Sequence, residues 1–291
     1  SPPTRPSPTR SSPTRPPATQ PHVIAVDLDG TLLRSDHTVS PRTVAALALA
    51  IRCGARVVAV TARPPRFVQT LAATAGLTGV AVCGNGATDL DLDTGEVRIT
   101  GPLPTAVARR AAAASTAADP TMAFAVETGH LALIGPGYRH VAARDSDRVA
   151  VPTVADLWSA GPQLVKLLAW SPAPVTDARL AQLRTLLPEV TVTWSGGNGM
   201  LEINAAGVSK AGALARLCRQ WGVHPASVTA FGDMPNDLPM LRWAGTAVAM
   251  ANAHADVLAC AHQVTASNND DGVALTLEAA FTPEPAQQHI R

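Results

Sequence analysis

Short apolar runs alternate along this chain with longer segments whose apolar residues recur at helical spacing, beginning at Val23-Ile24-Ala25-Val26. That first run stops abruptly at Asp27-Leu28-Asp29-Gly30-Thr31, as a strand buried on both faces does when it reaches a loop. Ser40-Pro41 then offers an N-cap and an N1 proline, and Val44, Leu47, Leu49 and Ile51 give a helical apolar face up to Cys53-Gly54. Residues 56–60 predict the next strand, closed by Thr61-Ala62-Arg63. Residues 65–75 predict a second helix and 79–83 a third strand. Repeated strand, helix, strand units predict a parallel sheet with helices on its faces.

The rhythm breaks at Gly84. Residues 87–92 and 97–100 flank Asp93-Thr94-Gly95-Glu96 and predict an antiparallel hairpin. An Ala-rich helix over 104–118, strands near 123–127, 131–134, 164–170 and 190–194, and a helix over 175–187 then read as an α+β block. Parallel alternation resumes with a strand at 200–203, a helix over 210–221, a strand at 228–231 before Gly232-Asp233, a helix over 235–243 and short strands near 246–250 and 264–266. The expected fold class is α/β, a Rossmann-like parallel-sheet core with an inserted α+β cap. Its boundaries are core at 21–84 and 197–281, cap at 85–196, and tails at 1–20 and 282–291.

Composition narrows the function classes. Of 291 residues, 46% are hydrophobic and 15% charged, so the bulk of the chain has enough apolar surface to fold. The first twenty residues differ, repeating Pro-Thr-Arg at 3–5, 8–10 and 13–15, and read as a disordered low-complexity tail. Lys and Arg number 23 against 22 Asp and Glu, without the basic excess that a nucleic-acid or anionic-membrane binder uses. No run approaches the ~20 apolar residues of a membrane span, and the N-terminal segment has no apolar signal core. The four cysteines (Cys53, Cys83, Cys218, Cys260) have neither metal-finger nor disulfide-framework spacing, which fits a reducing cytoplasm.

Candidate chemistry concentrates where strands end, the place where open α/β sheets bind ligands. Asp27 and Asp29 share a turn loosened by Gly30, and Asp233 ends a second strand with Asn236 and Asp237 a turn further on. Carboxylates gathered this way repel one another unless a cation neutralises them, and their hard oxygens suit Mg²⁺. One Asp at a strand end is as readily a turn former or an N-cap, Lys210 alone a solvated lysine, and Thr61 alone a turn residue. The four together, in order, carry the chemical reading.

Asp27-Leu28-Asp29-Gly30-Thr31, the strand-ending Thr61, Lys210 and Gly232-Asp233-Met234-Pro235-Asn236-Asp237 resemble the four motifs of the haloacid dehalogenase-like hydrolase superfamily. Cys83-Gly84-Asn85-Gly86-Ala87 and the segment Thr265-Ala266-Ser267-Asn268-Asn269-Asp270-Asp271-Gly272 resemble its Cof-type branch, whose α/β cap is inserted between the second and third motifs. Ala62 stands where the family usually has Gly, and Ala211 follows Lys210 in place of a common Gly; neither change removes a reacting group.

The resemblance implies Asp27 as nucleophile, forming an aspartyl-phosphate, and Asp29 as the acid that protonates the leaving alkoxide and the base that activates water. It implies Thr61 and Lys210 on the phosphoryl oxygens, Asn236 near phosphate or nucleophile, and Mg²⁺ on Asp27, the Asp29 backbone carbonyl and Asp233. Asp237 would orient a metal-bound water or Lys210. A carboxylic acid at position 29 points to phosphate monoesters or to phosphoryl transfer between hydroxyls. The expected activity is a Mg²⁺-dependent phosphatase of small phosphorylated metabolites, sugar phosphates foremost, with no nucleic-acid or membrane partner. Phosphomutase or phosphotransferase chemistry is the nearest alternative, and a non-catalytic adaptor docking through its Pro-rich tail is the other class. Specificity is expected in the cap and its hinge, at Asn85, Glu127, Lys166 and Trp194.

Overall fold

The computed structural model describes residues 23–139, 147–161, 163–196 and 199–282, so the expected tails lie outside the described residues except for Thr282. The central strand Val23–Val26 pairs in parallel with Arg56–Ala59 on one side and Val228–Gly232 on the other. Thr246–Ala249 and Gln263–Val264 extend the sheet beyond Val228–Gly232, all in parallel. Side-chain alternation along a strand explains the two-sided core. Ile24 and Val26 pack with the helices Pro41–Arg52, Pro65–Ala75 and Gly272–Phe281, whereas Val23 and Ala25 pack with Lys210–Trp221 and Leu238–Trp243.

The chain leaves Val23–Val26 toward Arg56–Ala59 and returns on the opposite side at Val228–Gly232. The crevice between those two directions is where a doubly wound sheet binds its ligand. Asp27 and Asp233 each follow one of the two strands that meet there.

The cap sheet runs in the order Val190–Thr193, Met200–Ala205, Lys166–Trp170, Ala123–Glu127, Ala132–Ile134, Arg148–Ala150. The helices Thr105–Ala118 and Asp177–Leu186 contribute to the cluster that packs against it. Two expected boundaries move. Met200–Ala205, expected to reopen the core at 197, lies between two cap strands and pairs antiparallel with both. Its Leu201 and Ile203 face the cap cluster with Leu167 and Val192, an apolar surface the core does not offer. The hairpin Thr88–Asp91 and Val97–Ile99, expected in the cap from 85, instead pairs with Val80–Cys83 and puts Leu90 into the core cluster. By strand pairing, the inserted sheets run from Leu103 to Ala205. No helix among the described residues is long and apolar enough to cross a membrane.

Candidate active site

Asp27 is fixed at the strand end by its own amide, which donates to Phe231 O at 3.1 Å. Lys210 opens the helix Lys210–Trp221, whose N-cap Ser209 accepts from the Gly212 amide. The lysine side chain is 1% exposed, and its Nζ donates to Asp27 Oδ1 at 2.5 Å and to Asp237 Oδ1 at 2.6 Å. Asp237 is held in turn by the amides of Asp233 and Met234, each donating to Oδ2 at 3.1 Å. Asp233 Oδ1 accepts from the Thr31 hydroxyl at 3.0 Å.

Gly30 is explained by the same geometry. Its φ is +77°, and a Cβ there would lie 2.2 Å from Asp233 Oδ2, so any side chain would displace the carboxylate.

Oxygens of Asp27, Asp233 and Asp237 all lie within 4.8 Å of one another. Burial pushes the Asp27 carboxyl well above its ordinary value; Lys210 opposes this, and Asp237 and Asp233 reinforce it. Burial, then Asp237, pushes Asp233 up to about 7. Burial alone would lower the Lys210 pKa, but Asp237 and Asp27 raise it above the ordinary lysine value. Three buried carboxylates therefore share one ammonium. Hard oxygens with an uncompensated negative charge are the donor set of a divalent cation such as Mg²⁺.

Asp29 points elsewhere. Its carboxylate, part-exposed, is clasped by Arg63, with Nε donating to Oδ2 at 2.8 Å and Nη2 to Oδ1 at 2.7 Å. Arg63 lies over the Phe67 ring at 4.3 Å, and its amide donates to Thr61 Oγ1 at 3.1 Å. The buried Thr61 hydroxyl thus serves the turn as an acceptor and keeps its proton to donate. Arg63 is not among the expected site residues, although the sequence shows a cation two residues after Thr61 on a strand-end turn. His37, at φ +63°, sets Nδ1 3.9 Å from Asp29 Oδ1.

The expected cap residues hold the cap against the core. Glu127 is 2% exposed and takes both terminal nitrogens of Arg66 from the helix Pro65–Ala75, at 2.7 and 3.0 Å. Lys166 Nζ donates to Ala62 O at 2.7 Å and to Glu202 Oε1. Burial opposes a charged Glu202, but Lys166 and the bonds to its carboxylate hold its pKa below the ordinary value. Asn85, at φ +60° in the core turn Gly84–Gly86 rather than at a cap hinge, donates to Glu202 Oε2 at 3.1 Å and accepts from Asn236 Nδ2 at 3.2 Å. Trp194 is half-buried, edge-on to His254 at 6.4 Å between centroids. Glu202 is also absent from the expected site residues, because its strand Met200–Ala205 is expected in the core and belongs to the cap sheet. A cavity of about 330 Å³ between the cap edge and the core is lined by Asn85, Arg184, Thr193, Lys210 and Asn236, among others.

A parallel-sheet core with an acidic switch-point site and an inserted cap defines a phosphoryl-handling α/β hydrolase. The chain belongs to the haloacid dehalogenase-like hydrolases, whose family pattern it matches over residues 24–277, and its inserted cap places it among the Cof-type members. It is 31% identical over 271 residues to the 5-amino-6-(5-phospho-D-ribitylamino)uracil phosphatase of Bacillus subtilis, covering 90% of this chain and 98% of that one. It is 30% identical over 266 residues to the pyridoxal phosphate phosphatase of Escherichia coli, covering 87% and 96%. The structure of a haloacid dehalogenase-like hydrolase from B. subtilis superposes with a TM-score of 0.76 at 26% identity, over 88% of this chain and 99% of that one. The protein is a phosphoric monoester hydrolase.

Proposed function

We propose that this protein hydrolyses small phosphorylated metabolites, polyol and sugar phosphates foremost, in a Mg²⁺-dependent reaction through an aspartyl-phosphate on Asp27. The observation that carries the reading is the division of labour between two carboxylates on one turn. Asp27 is buried against Lys210, while Asp29 stands outside the acidic cluster in the grip of Arg63. The polyol class is supported by the relative named for a ribityl phosphate ester.

Asp27 attacks phosphorus as the P–O bond to the alcohol breaks, and Asp29 gives its proton to the departing oxygen. Asp29 then takes a proton from water, which attacks the acyl phosphate and regenerates Asp27. Lys210 and the Thr61 hydroxyl hold the phosphoryl oxygens through both steps. Arg63, which here takes both Asp29 oxygens, has to free one of them for Asp29 to carry the proton it gives. Mg²⁺, when bound by Asp27, the Asp29 backbone carbonyl and Asp233, supplies positive charge against the phosphoryl oxygens. Glu127 with Arg66, and Lys166 with Ala62, seat the cap over the strand ends and limit the entry of water.

The test is free phosphate released from a panel of phosphorylated metabolites with and without Mg²⁺. Hydrolysis of polyol esters that stops on chelation is expected. Release from none of the panel rejects the reading, and conversion to an isomeric ester without free phosphate favours the mutase alternative.

The carboxylate pKa values give a second expected result. Burial and the neighbouring Asp237 push Asp233 up to about 7 from the ordinary 3.8. Between those values the folded state binds more protons than the unfolded chain, so stability falls as pH rises through this window. A cation that binds the ionised form offsets this, and at about 100 times its Kd it adds about 2.7 kcal/mol. For a chain of this size that is roughly 5–10 °C in Tm. Thermal melts are expected to show a larger Mg²⁺-dependent gain at pH 8 than at pH 6. An equal gain at both would remove the acidic cluster as the binding site.

A further inference from the structure

The cavity of about 330 Å³ beside the cap edge strand Val190–Thr193 is a different place from the strand-end crevice. Lys210 and Asn236 form part of its wall, but none of Asp27, Asp29, Thr61 and Asp233 borders it. Lys210 commits its Nζ to Asp27 and Asp237, so the catalytic ammonium is already engaged. The cation left to the cavity is Arg184, and no carboxylate lines the wall with it. Arg184 stands in the last turn of the cap helix Asp177–Leu186, and its Nε donates to Val192 O at 3.0 Å, which fixes the guanidinium against the edge strand. Among the described residues its two terminal nitrogens have no hydrogen-bond or ion-pair partner.

Two hydroxyls on the same wall are set to donate. Thr191 Oγ1 accepts from the Gly207 amide at 3.2 Å, and Ser209 Oγ accepts from the Gly212 amide at 3.1 Å. A hydroxyl whose oxygen already receives a backbone N–H keeps its own proton for another acceptor, and neither has one among the described residues. Thr193 differs, because its hydroxyl accepts from Asn85 Nδ2 at 3.3 Å and donates to Glu202 O at 3.5 Å. The three free donors are joined locally: Thr191 adjoins the Val192 that anchors Arg184, and the Gly207 that bonds Thr191 stands two residues before Ser209. Ser209 also caps the 12-residue helix Lys210–Trp221, whose N-terminus adds partial positive charge. A fixed guanidinium fork and two hydroxyl donors, with no carboxylate among them, match an oxyanion with several acceptor oxygens. We infer that this cavity is a second anion site, separate from the Asp27 centre, for an oxyanion of the phosphate class. Its donors come from both sides, Arg184 and Thr191 from the cap and Ser209 from the start of a core helix, so a bound anion ties the cap edge to the core. Two sources offer this chemistry: free inorganic phosphate, or a second phosphoryl group on an ester processed at Asp27. The inference stands apart from the phosphatase reading, since the groups that carry it take no part in that reaction.

The experiment measures binding separately from turnover. Metal-free protein, dialysed free of chelator, is titrated calorimetrically with inorganic phosphate at constant ionic strength. Without a cation, the three buried carboxylates repel phosphate from the Asp27 centre, so the heat reports on the cavity. One phosphate per chain is expected, bound about tenfold more weakly by Arg184→Gln and about threefold more weakly by Thr191→Val. Arg184 is exposed and glutamine can still donate to Val192 O, so that variant should fold, and Thr191→Val gives an independent reading. Thr61→Val is expected to bind phosphate as the wild type does. No phosphate bound by the metal-free wild type, binding that Arg184→Gln leaves unchanged, or binding that Thr61→Val removes would each overturn the inference. The two sources are separated with Mg²⁺ present, by comparing kcat/KM for α,ω-alkanediol monophosphates and bisphosphates of three to five carbons. A bisphosphate advantage that Arg184→Gln removes identifies the occupant as a second phosphoryl group of the substrate. Phosphate binding without that advantage identifies it as free phosphate. Absence of turnover on every ester rejects the phosphatase reading and leaves the inference to stand on the calorimetry.

Discussion

Asp27→Asn is expected to lower phosphate release by about 10⁴-fold or more, the scale on which removal of a covalent nucleophile acts. An amide is nearly isosteric with the carboxylate but far weaker as a nucleophile and as a ligand for a hard cation. The fold should survive, because the site already holds more negative charge than Lys210 neutralises, and Lys210 keeps its 2.6 Å bond to Asp237. Asp29→Asn should differ in kind. With a poor alkoxide leaving group the loss is large, whereas with an activated aryl ester, which needs little protonation, phosphoenzyme accumulates because no base activates the water. Steady-state rates on both esters, with a phosphoenzyme trap, separate the two variants. Wild-type turnover in Asp27→Asn would sink the mechanism.

The site was legible in the sequence to the extent that its residues follow strands. Asp27, Thr61 and Asp233 each end a short β-branched or apolar run, and parallel strands deliver their ends to one edge, so three segments far apart in sequence could be placed together. Partners reached across the insertion were not legible. Glu202 sits in Met200–Ala205, whose apolar alternation fits a core or a cap strand equally, and only its pairing with Lys166–Trp170 decides. Glu127 and Lys166 were legible as cap residues, but not as partners of Arg66 and Glu202, because a buried ion pair leaves no periodic trace. The last helix, Gly272–Phe281, is missed for the opposite reason. Val273, Ala274, Leu275, Leu277, Ala279, Ala280 and Phe281 make it apolar almost all round, so no polar face marks the helical period.

Lys210→Met is expected to give the largest loss of stability among substitutions in the site, together with loss of turnover. Methionine fills similar space, so the effect isolates the charge. Removing one member of a buried ion group costs about 3–5 kcal/mol, because the remaining charges stay buried without compensation. Here the remaining charges are Asp27 and Asp237, both bonded to the lost Nζ, with Asp233 beside them. At about 2–4 °C per kcal/mol, Tm at pH 8 should fall by roughly 10 °C. The sign with pH follows from the carboxylates, since the lysine itself, raised above its ordinary value, stays charged throughout the working range. Without it, the already elevated Asp27 and Asp233 rise further, so protonation relieves the repulsion and the deficit should shrink as pH falls below about 7. Mg²⁺ should restore part of the Tm by supplying charge to the same oxygens, but not the turnover, because the ammonium that holds the phosphoryl group is gone. Paired melts of wild type and variant at pH 6 and pH 8 check this. A variant as stable as wild type at pH 8 would mean that Lys210 does not neutralise the acidic cluster.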